Sequence, residues 1–310
     1  MVISDKIRSL AVKAEKLASS SFARIDEIAA LNTEKVLTAF HKHRVSDALF
    51  NGSTGYGYDD RGREVLDNIF AEVFGAEAAL VRIGFVNGTH AIASALYGAL
   101  RPGQTLLSVT GAPYDTLLGV IGITGSHRGS LKDYGIAYSQ VELLSDGSPD
   151  YDKITEAAKT CAAVFIQRSR GYTGRSALSV EAIEKIIKAV RQVNSEAAVI
   201  VDNCYGEFTE LKEPTQVGAD LIAGSLIKNP GGGLAPTGGY VAGKRELVEA
   251  AAYRLTVPGI GGEVGPTLNV NRQLYQGLFM APHTVAQAMK TAVFCAALME
   301  LMGYKTFPKY

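Results

Sequence analysis

One lysine, Lys228, stands in the stretch Gly224–Gly239, GSLIKNPGGGLAPTGG, with Ser225 three residues ahead of it. The apolar run before it, Ala219-Asp-Leu-Ile-Ala-Gly, reads as a short buried strand. Most lysines are exposed and inert. An amine at the mouth of a strand, facing glycine-lined space, is also where desolvated Schiff-base chemistry would be built. Asp202 lies 26 residues upstream and ends the run Val199-Ile-Val-Asp202. A carboxylate at the end of a buried strand needs donors or a cation to stay ionised. A protonated pyridine nitrogen would serve, and so would a turn shared with Asn203. Asn87-Gly88-Thr89-His90 opens a helical pattern. Free backbone N–H groups, a hydroxyl and the positive dipole end there suit a phosphate, and a plain N-cap at Thr89 is the simpler alternative. Tyr114, in the loop Gly111-Ala-Pro-Tyr114, can stack on a flat ring or be only a loop aromatic.

The elements that must position these groups follow from periodicity. Residues 5–18 predict a helix with Ile7, Leu10, Ala14 and Leu17 on one face, and a second helix runs from about 22 to 43 with a break at Asn32-Thr33. Phe50–Glu64, rich in Gly, Asp and Tyr, is a loop. Further helices are predicted over 64–74, 89–100, 179–193 (capped by Ser179), 244–253 and 282–302. Strands are predicted over 79–83, 104–109, 163–167, 198–202 and 219–223. The alternation implies an α/β protein, a three-layer α/β/α arrangement with a mostly parallel sheet covered on both faces. In such sheets sites gather at the carboxyl ends of strands, where all four groups fall. The one candidate boundary is Val257–Pro266.

Bulk properties exclude several classes. The 310 residues are 47% hydrophobic with a formal net charge of zero, so no basic excess points to nucleic acid. The apolar stretches read as too short or interrupted to span a bilayer, and the amino terminus lacks the apolar core of a secretory signal. Cys161, Cys204 and Cys295 are odd in number and far apart, which predicts reduced thiols in a cytoplasmic protein. The five histidines form no ligand spacing, so no metal is expected. Neither GxGxxG ahead of a helix nor Gly-Lys-Ser/Thr occurs, which argues against a nicotinamide dehydrogenase or a P-loop protein.

In chain order, a phosphate cradle, a ring-stacking tyrosine, an anionic partner and an amine describe a pyridoxal 5′-phosphate site. The segments YGYDDRGREVLD (56–67), NGTHAIASAL (87–96), GAPYDTL (111–117), VDNCYGEF (201–208), SLIKNPGGGLAPTGGYVAG (225–243) and YQGLFMAP (275–282) carry a resemblance. The chain resembles fold-type-I pyridoxal-phosphate enzymes of the cysteine/methionine-metabolism group, in the branch of methionine γ-lyase-like and cystathionine β-lyase-like aluminium-resistance proteins. The resemblance implies a cofactor-binding large domain over 51–280, after an N-terminal helical segment (1–50). It also implies that 281–310 begins a C-terminal small domain, here absent or truncated. Lys228 would form the Schiff base, Asp202 would hold the pyridine nitrogen, and Asn87, Gly88, Thr89 and Ser225 would bind phosphate. Tyr114 would stack on the ring and help the leaving group. Relatives reach a neighbour's phosphate with Tyr-x-Arg; the changed spacing here leaves Arg61 with Tyr56 or Tyr58, and implies a homodimer or homotetramer with shared sites. A hydroxyl common in relatives is replaced by Ile227. The small-domain arginine that binds a substrate carboxylate has no counterpart, leaving Arg168, Arg170 or Arg272. The implied activity is carbon–sulfur lysis of a sulfur-containing amino acid. Transamination, another amino-acid lyase reaction and a non-catalytic binding role are the alternatives.

Overall fold

The computed structural model describes residues 3–125 and 128–310. The chain begins with helix α1 (Asp5–Lys42), then α2 (Arg61–Val73), strand β1 (Ala78–Arg82), α3 (Gly88–Ala99), β2 (Thr105–Ser108), α4 (Asp115–Ile121) and β3 (Ala137–Gln140). It continues through α5 (Tyr151–Ala157), β4 (Ala163–Gln167), α6 (Val180–Arg191), β5 (Ala198–Asp202) and β6 (Leu221–Ser225). β7 (Gly239–Gly243), α7 (Arg245–Leu255) and α8 (Asn271–Leu301) complete it.

The seven-stranded sheet has the order β1-β7-β6-β5-β4-β2-β3. β2 to β6 pair in parallel, and β7 runs antiparallel to both β1 and β6. The central strands read as continuous apolar runs because both faces are covered. On β5, Val199 and Val201 join one buried cluster and Ile200 the other. α6 turns Ile183, Ile186, Ile187 and Val190 into the core, each worth about 1.5–3 kcal/mol of burial. Ser179 Oγ accepts from Ala182 N–H at 3.1 Å and starts that helix as expected.

Four expectations change. α1 is one unbroken helix, because the buried Asn32 amide donates across to the Phe208 and Glu210 carbonyls (3.3 and 3.1 Å) and does not cap a new helix. α8 starts at Asn271, so the boundary expected at 280/281 lies inside one continuous helix that contains Pro282. By length and composition α8 is also the one helix among the described residues that could cross a membrane, contrary to the sequence reading, and it packs along α1. Finally β3 and β7 were not anticipated. β7 reverses the chain, so residues 226–238 must close over the end of β6, and Leu226 N–H donates to Gly238 O at 3.0 Å to do so.

That closure fixes where glycine is required. A Cβ on Gly277 of α8 would meet Gly231 O at 2.3 Å, and one on Gly232 would meet Gly277 O at 2.2 Å. These glycines let a helix backbone touch the lysine loop; they do not hold open space, as the sequence suggested, and only Gly233 faces a void. Gly277→Ala is expected to lower stability by about 1–3 kcal/mol through overpacking. Gly119→Ala, in α4 with nothing near its would-be Cβ, should be neutral or stabilising by up to about 1 kcal/mol. Urea midpoints of the two variants check the contrast.

Candidate active site

The carboxyl ends of β2, β4, β5 and β6 converge on the amino end of α3. Asn87 is the N-cap: its Oδ1 accepts from His90 N–H at 2.9 Å, which leaves the first helical N–H groups, from Gly88 onward, at the positive end of a twelve-residue helix. A Cβ on Gly88 would meet Cys204 Sγ and Ser225 Cβ, each at 3.2 Å. The helix therefore begins directly against the ends of β5 and β6, in a cradle that any side chain would fill. Thr89 Oγ1 lies 3.0 Å from the Tyr114 hydroxyl and 3.2 Å from Thr116 Oγ1. Gln167, at the end of β4, holds the tyrosine loop by accepting from Tyr114 N–H through Oε1 at 2.9 Å.

Asp202 is the last residue of β5 and is 2% exposed. It accepts from Cys204 N–H at 3.0 Å and, among the described residues, forms no ion pair. Burial pushes its carboxyl above the usual range, against the Cys204 backbone and thiol and the Lys228 charge, which pull it down. Lys228 sits three residues past β6, half-buried, with Nζ 4.2 Å above the ring of Tyr205. Burial draws its amine down, but the Cys204, Tyr205 and Asp202 side chains outweigh that and leave it raised. The chain alone supplies only anionic or anion-forming neighbours. Burial also raises the Tyr114 phenol, and Asp202 raises it further, so Tyr114 stays a proton donor at neutral pH.

Lys228, Asp202, Ser225, Gly88, Thr89 and Tyr114 thus come together as the sequence placed them. Asn87 serves its helix through its side chain. Tyr56 and Tyr58 are exposed on the loop before α2, Arg61 is exposed as the first residue of α2 and not in a loop running to Glu64, and none hydrogen-bonds to the Lys228 group within one chain. That loop is anchored elsewhere. Buried Arg63 donates to the carbonyls of Gly57, Gly265 and Glu263 (2.6, 2.8 and 3.0 Å), and Asp60 accepts from Arg63 N–H, Thr267 and Asn271. Ile227 is exposed beside Lys228. Three residues that sequence reasoning missed belong to the site: Gln167, Cys204 and Tyr205. Gln167 has no motif around it; Cys204 and Tyr205 lie inside the segment VDNCYGEF (201–208), where their adjacency to Asp202 could have drawn attention.

The arginines read as substrate clamps are otherwise engaged. Arg168 is 2% exposed and donates to Asn203 Oδ1 (2.7 Å), Glu210 Oε1 (2.9 Å), Thr209 Oγ1 (3.3 Å) and Glu213 Oε2 (3.4 Å). Arg170 bonds the Thr173 and Phe307 carbonyls and lies over the Phe307 ring, and Arg272 lies over Phe50. Two cavities, about 340 and 450 Å³, lie away from this site: one beside Arg63, Arg82 and Asn271, the other along α3 beside Tyr97, Arg101 and Arg254.

A mostly parallel sheet with one antiparallel strand, a helix amino end beside a buried carboxylate and a lysine on the next strand end define the pyridoxal-phosphate transferase-like class of α/β proteins. The chain belongs to the methionine gamma-lyase family, whose model matches residues 7–310. It is 49% identical over 306 residues to the uncharacterized protein YnbB of Bacillus subtilis (strain 168), covering 98% of this chain and 73% of that protein. A solved carbon-sulfur lyase involved in aluminum resistance from Clostridium novyi NT superposes with a TM-score of 0.96 at 52% identity, over 99% of this chain and 74% of that one. The pyridoxal-5′-phosphate-dependent protein YhfS from Escherichia coli shares the fold at 18% identity, with a TM-score of 0.66 over 90% of this chain and 71% of its own.

The residues fit the cofactor that this fold implies. The buried carboxylate has no cation of its own, the glycine cradle sits at a helix amino end, and an amine stands on the neighbouring strand end. For Arg168 the geometry gives a sharper expectation. Arg168→Ala strands the buried Glu213 and should cost about 3–5 kcal/mol of stability in urea unfolding, without the selective rise in KM that loss of a substrate clamp would give.

Proposed function

We propose that this protein is a pyridoxal-phosphate-dependent carbon–sulfur lyase acting on a sulfur-containing amino acid of the cystathionine, cysteine or methionine type. The observation that carries the reading is Asp202, an enclosed carboxylate that forms no ion pair among the described residues and lies beside the lysine of the loop that follows the adjacent strand. When bound, pyridoxal phosphate supplies an electron sink for the charge left at the substrate Cα once its proton is removed.

The chain's own residues do the rest. The N–H groups opening α3, with the Thr89 and Ser225 hydroxyls, bind phosphate. Asp202 would pair with a protonated ring nitrogen, and so paired it would no longer raise the Lys228 amine. Lys228 would hold the cofactor through its aldehyde, and as a free amine it would be placed to take the Cα proton. Tyr114 would pack against the ring and, being protonated, deliver a proton to the departing thiolate; departure from the β carbon needs only the Cα proton removed, and departure from the γ carbon needs a Cβ proton taken as well. The unsaturated product hydrolyses to a 2-oxo acid and ammonia. Exposed Tyr56, Tyr58 and Arg61 support a site completed by a second copy, so that the working unit is a homodimer or a homotetramer. The buried, unpaired Cys161 and Cys204 agree with a cytoplasmic setting.

Purified protein incubated with pyridoxal phosphate is expected to gain a visible absorbance band that Lys228→Ala abolishes. L-Cystathionine, L-cysteine or L-methionine should shift the band and release thiol and 2-oxo acid together. Full turnover by Lys228→Ala would sink the proposal. Release of 2-oxo acid without thiol would point to transamination, and a band unmoved by any amino acid to a binding role.

A further inference from the structure

Behind the strand that carries Asp202 and the loop that carries Lys228 lies a second, fully enclosed carboxyl, Glu207, for which the proposed reaction has no use. Ser225 meets Gly88 on the α3 side of β6. Successive strand residues face opposite ways, and Gly224 accordingly faces the other side. A Cβ there would meet Glu207 Oε1 at 2.7 Å and the Tyr240 ring at 2.7 Å, so only glycine leaves room for this side chain. Tyr240, paired with Gly224 across β6 and β7, donates its hydroxyl to Glu207 Oε1 at 2.8 Å. Among the described residues, Glu207 Oε2 is buried without any partner. The backbone oxygen of Glu207 accepts from Asn229 Nδ2 at 2.9 Å, and Asn229 follows Lys228 directly.

We propose that Glu207 is the positioning residue of the lysine segment: its side chain, clamped between Tyr240 and Gly224, fixes the backbone oxygen from which Asn229, and with it Lys228, is hung. An ionised carboxylate would have one bare oxygen in that space. The charged and titratable groups around it are Tyr240 of β7, Cys204 ahead of it, Glu213, which repels it, and Arg168, already bonded to Glu210 and Glu213. Lys35 of α1 faces Glu213 and not Glu207. Burial accordingly pushes the Glu207 carboxyl up to about 8. Ionisation above that pH must bring in water or expel the side chain, and either loosens the oxygen that holds Asn229. The lysine geometry is thereby tied to proton binding on the opposite face of the sheet. The functional meaning of that tie rests on the reading of Lys228 as the reactive amine.

The test uses the full chain without cofactor. Lys228 is labelled with formaldehyde and borohydride, and its modification rate is followed by mass spectrometry across the pH range on both sides of the Glu207 titration. Dividing by the rate in Glu207→Gln, which is isosteric and never ionises, removes the ordinary titration of the amine. The expected ratio is near one below pH 8 and departs several-fold above it. Tyr240→Phe, which withdraws a donor from the carboxylate, should move the departure to higher pH. A ratio flat across the range, or offset by one constant factor at every pH, overturns the proposal.

Thermal melts give a second readout. Folded and unfolded chains both hold the proton below about 4.5, and only the folded chain holds it up to about 8, so stability falls as pH rises through that window. Glu207→Gln should remove that part of the slope, and an unchanged slope counts against an enclosed neutral carboxyl. Failure to take up pyridoxal phosphate would defeat the lyase reading and leave these measurements to decide Glu207. Uptake with a flat labelling ratio would do the reverse.

Discussion

An enclosed carboxylate without a cation is the constraint on which the rest of this structure depends. Asp202 reaches the end of β5 with one backbone N–H, a neighbouring thiol and a lysine that stops short of an ion pair. Charge in that position is costly unless something completes it. The surrounding parts stand close to it without pairing it. The amino end of α3 stands against it through Gly88, Tyr114 overhangs from the β2 loop, and the lysine approaches from the next strand. A protein that needed only stability would have placed an apolar residue there, since a buried ion pair or lone charge seldom improves on good packing.

The reversal at β7 explains how the lysine gets there. Parallel strands deliver their carboxyl ends to one edge of a sheet but need long crossovers to do it. Setting β7 antiparallel beside β6 turns the chain at that same edge, and the short connection itself becomes the lysine loop. The loop is then held from three sides: by Leu226 and Gly238 across its neck, by the close backbone approach of Gly277 on α8, and by Asn229 on Glu207. Its glycines and prolines therefore serve contact more than mobility. The long α1–α8 pair braces the far side and delivers Asn32 to the carbonyls that follow Glu207.

What the sequence disclosed follows from burial. Strands covered on both faces leave uninterrupted apolar runs, and β1, β4, β5 and β6 were legible within two residues or so. β3, with mostly exposed Ala-Tyr-Ser-Gln, leaves no such run, and β7 was hidden because Gly-Tyr-Val-Ala-Gly continues a glycine-rich loop without a break. Local rules misled where tertiary contact overrode them: Asn32 looks like a cap until its amide is seen bonded across the fold, and Pro282 sits inside α8. The site's first layer was legible because Lys228, Asp202 and Thr89 each fall just past an apolar run. Its support was not, because Gln167, Cys204 and Glu207 are defined only by what they touch. Arg168 misled for the same reason: its place after β4 suggested an open edge, and its guanidinium faces inward to Asn203 and Glu213.

These two layers divide the labour by sheet face. Along β5 and the residues after it, Asp202 faces α3 and the Lys228 amine, while Asn203, one residue on, bonds Arg168 and Glu213 on the reverse. Along β6 the same alternation sends Ser225 to the site and leaves Gly224 as the gap that Glu207 fills. The strict two-residue period of a strand therefore sets a polar network directly behind a chemical site, separated by a single backbone. Such a network transmits its own protonation to the strand ends without touching a ligand. It can do so because every group in it but one is already hydrogen-bonded, and the exception, the second oxygen of Glu207, is the atom whose charge the packing has no means to absorb.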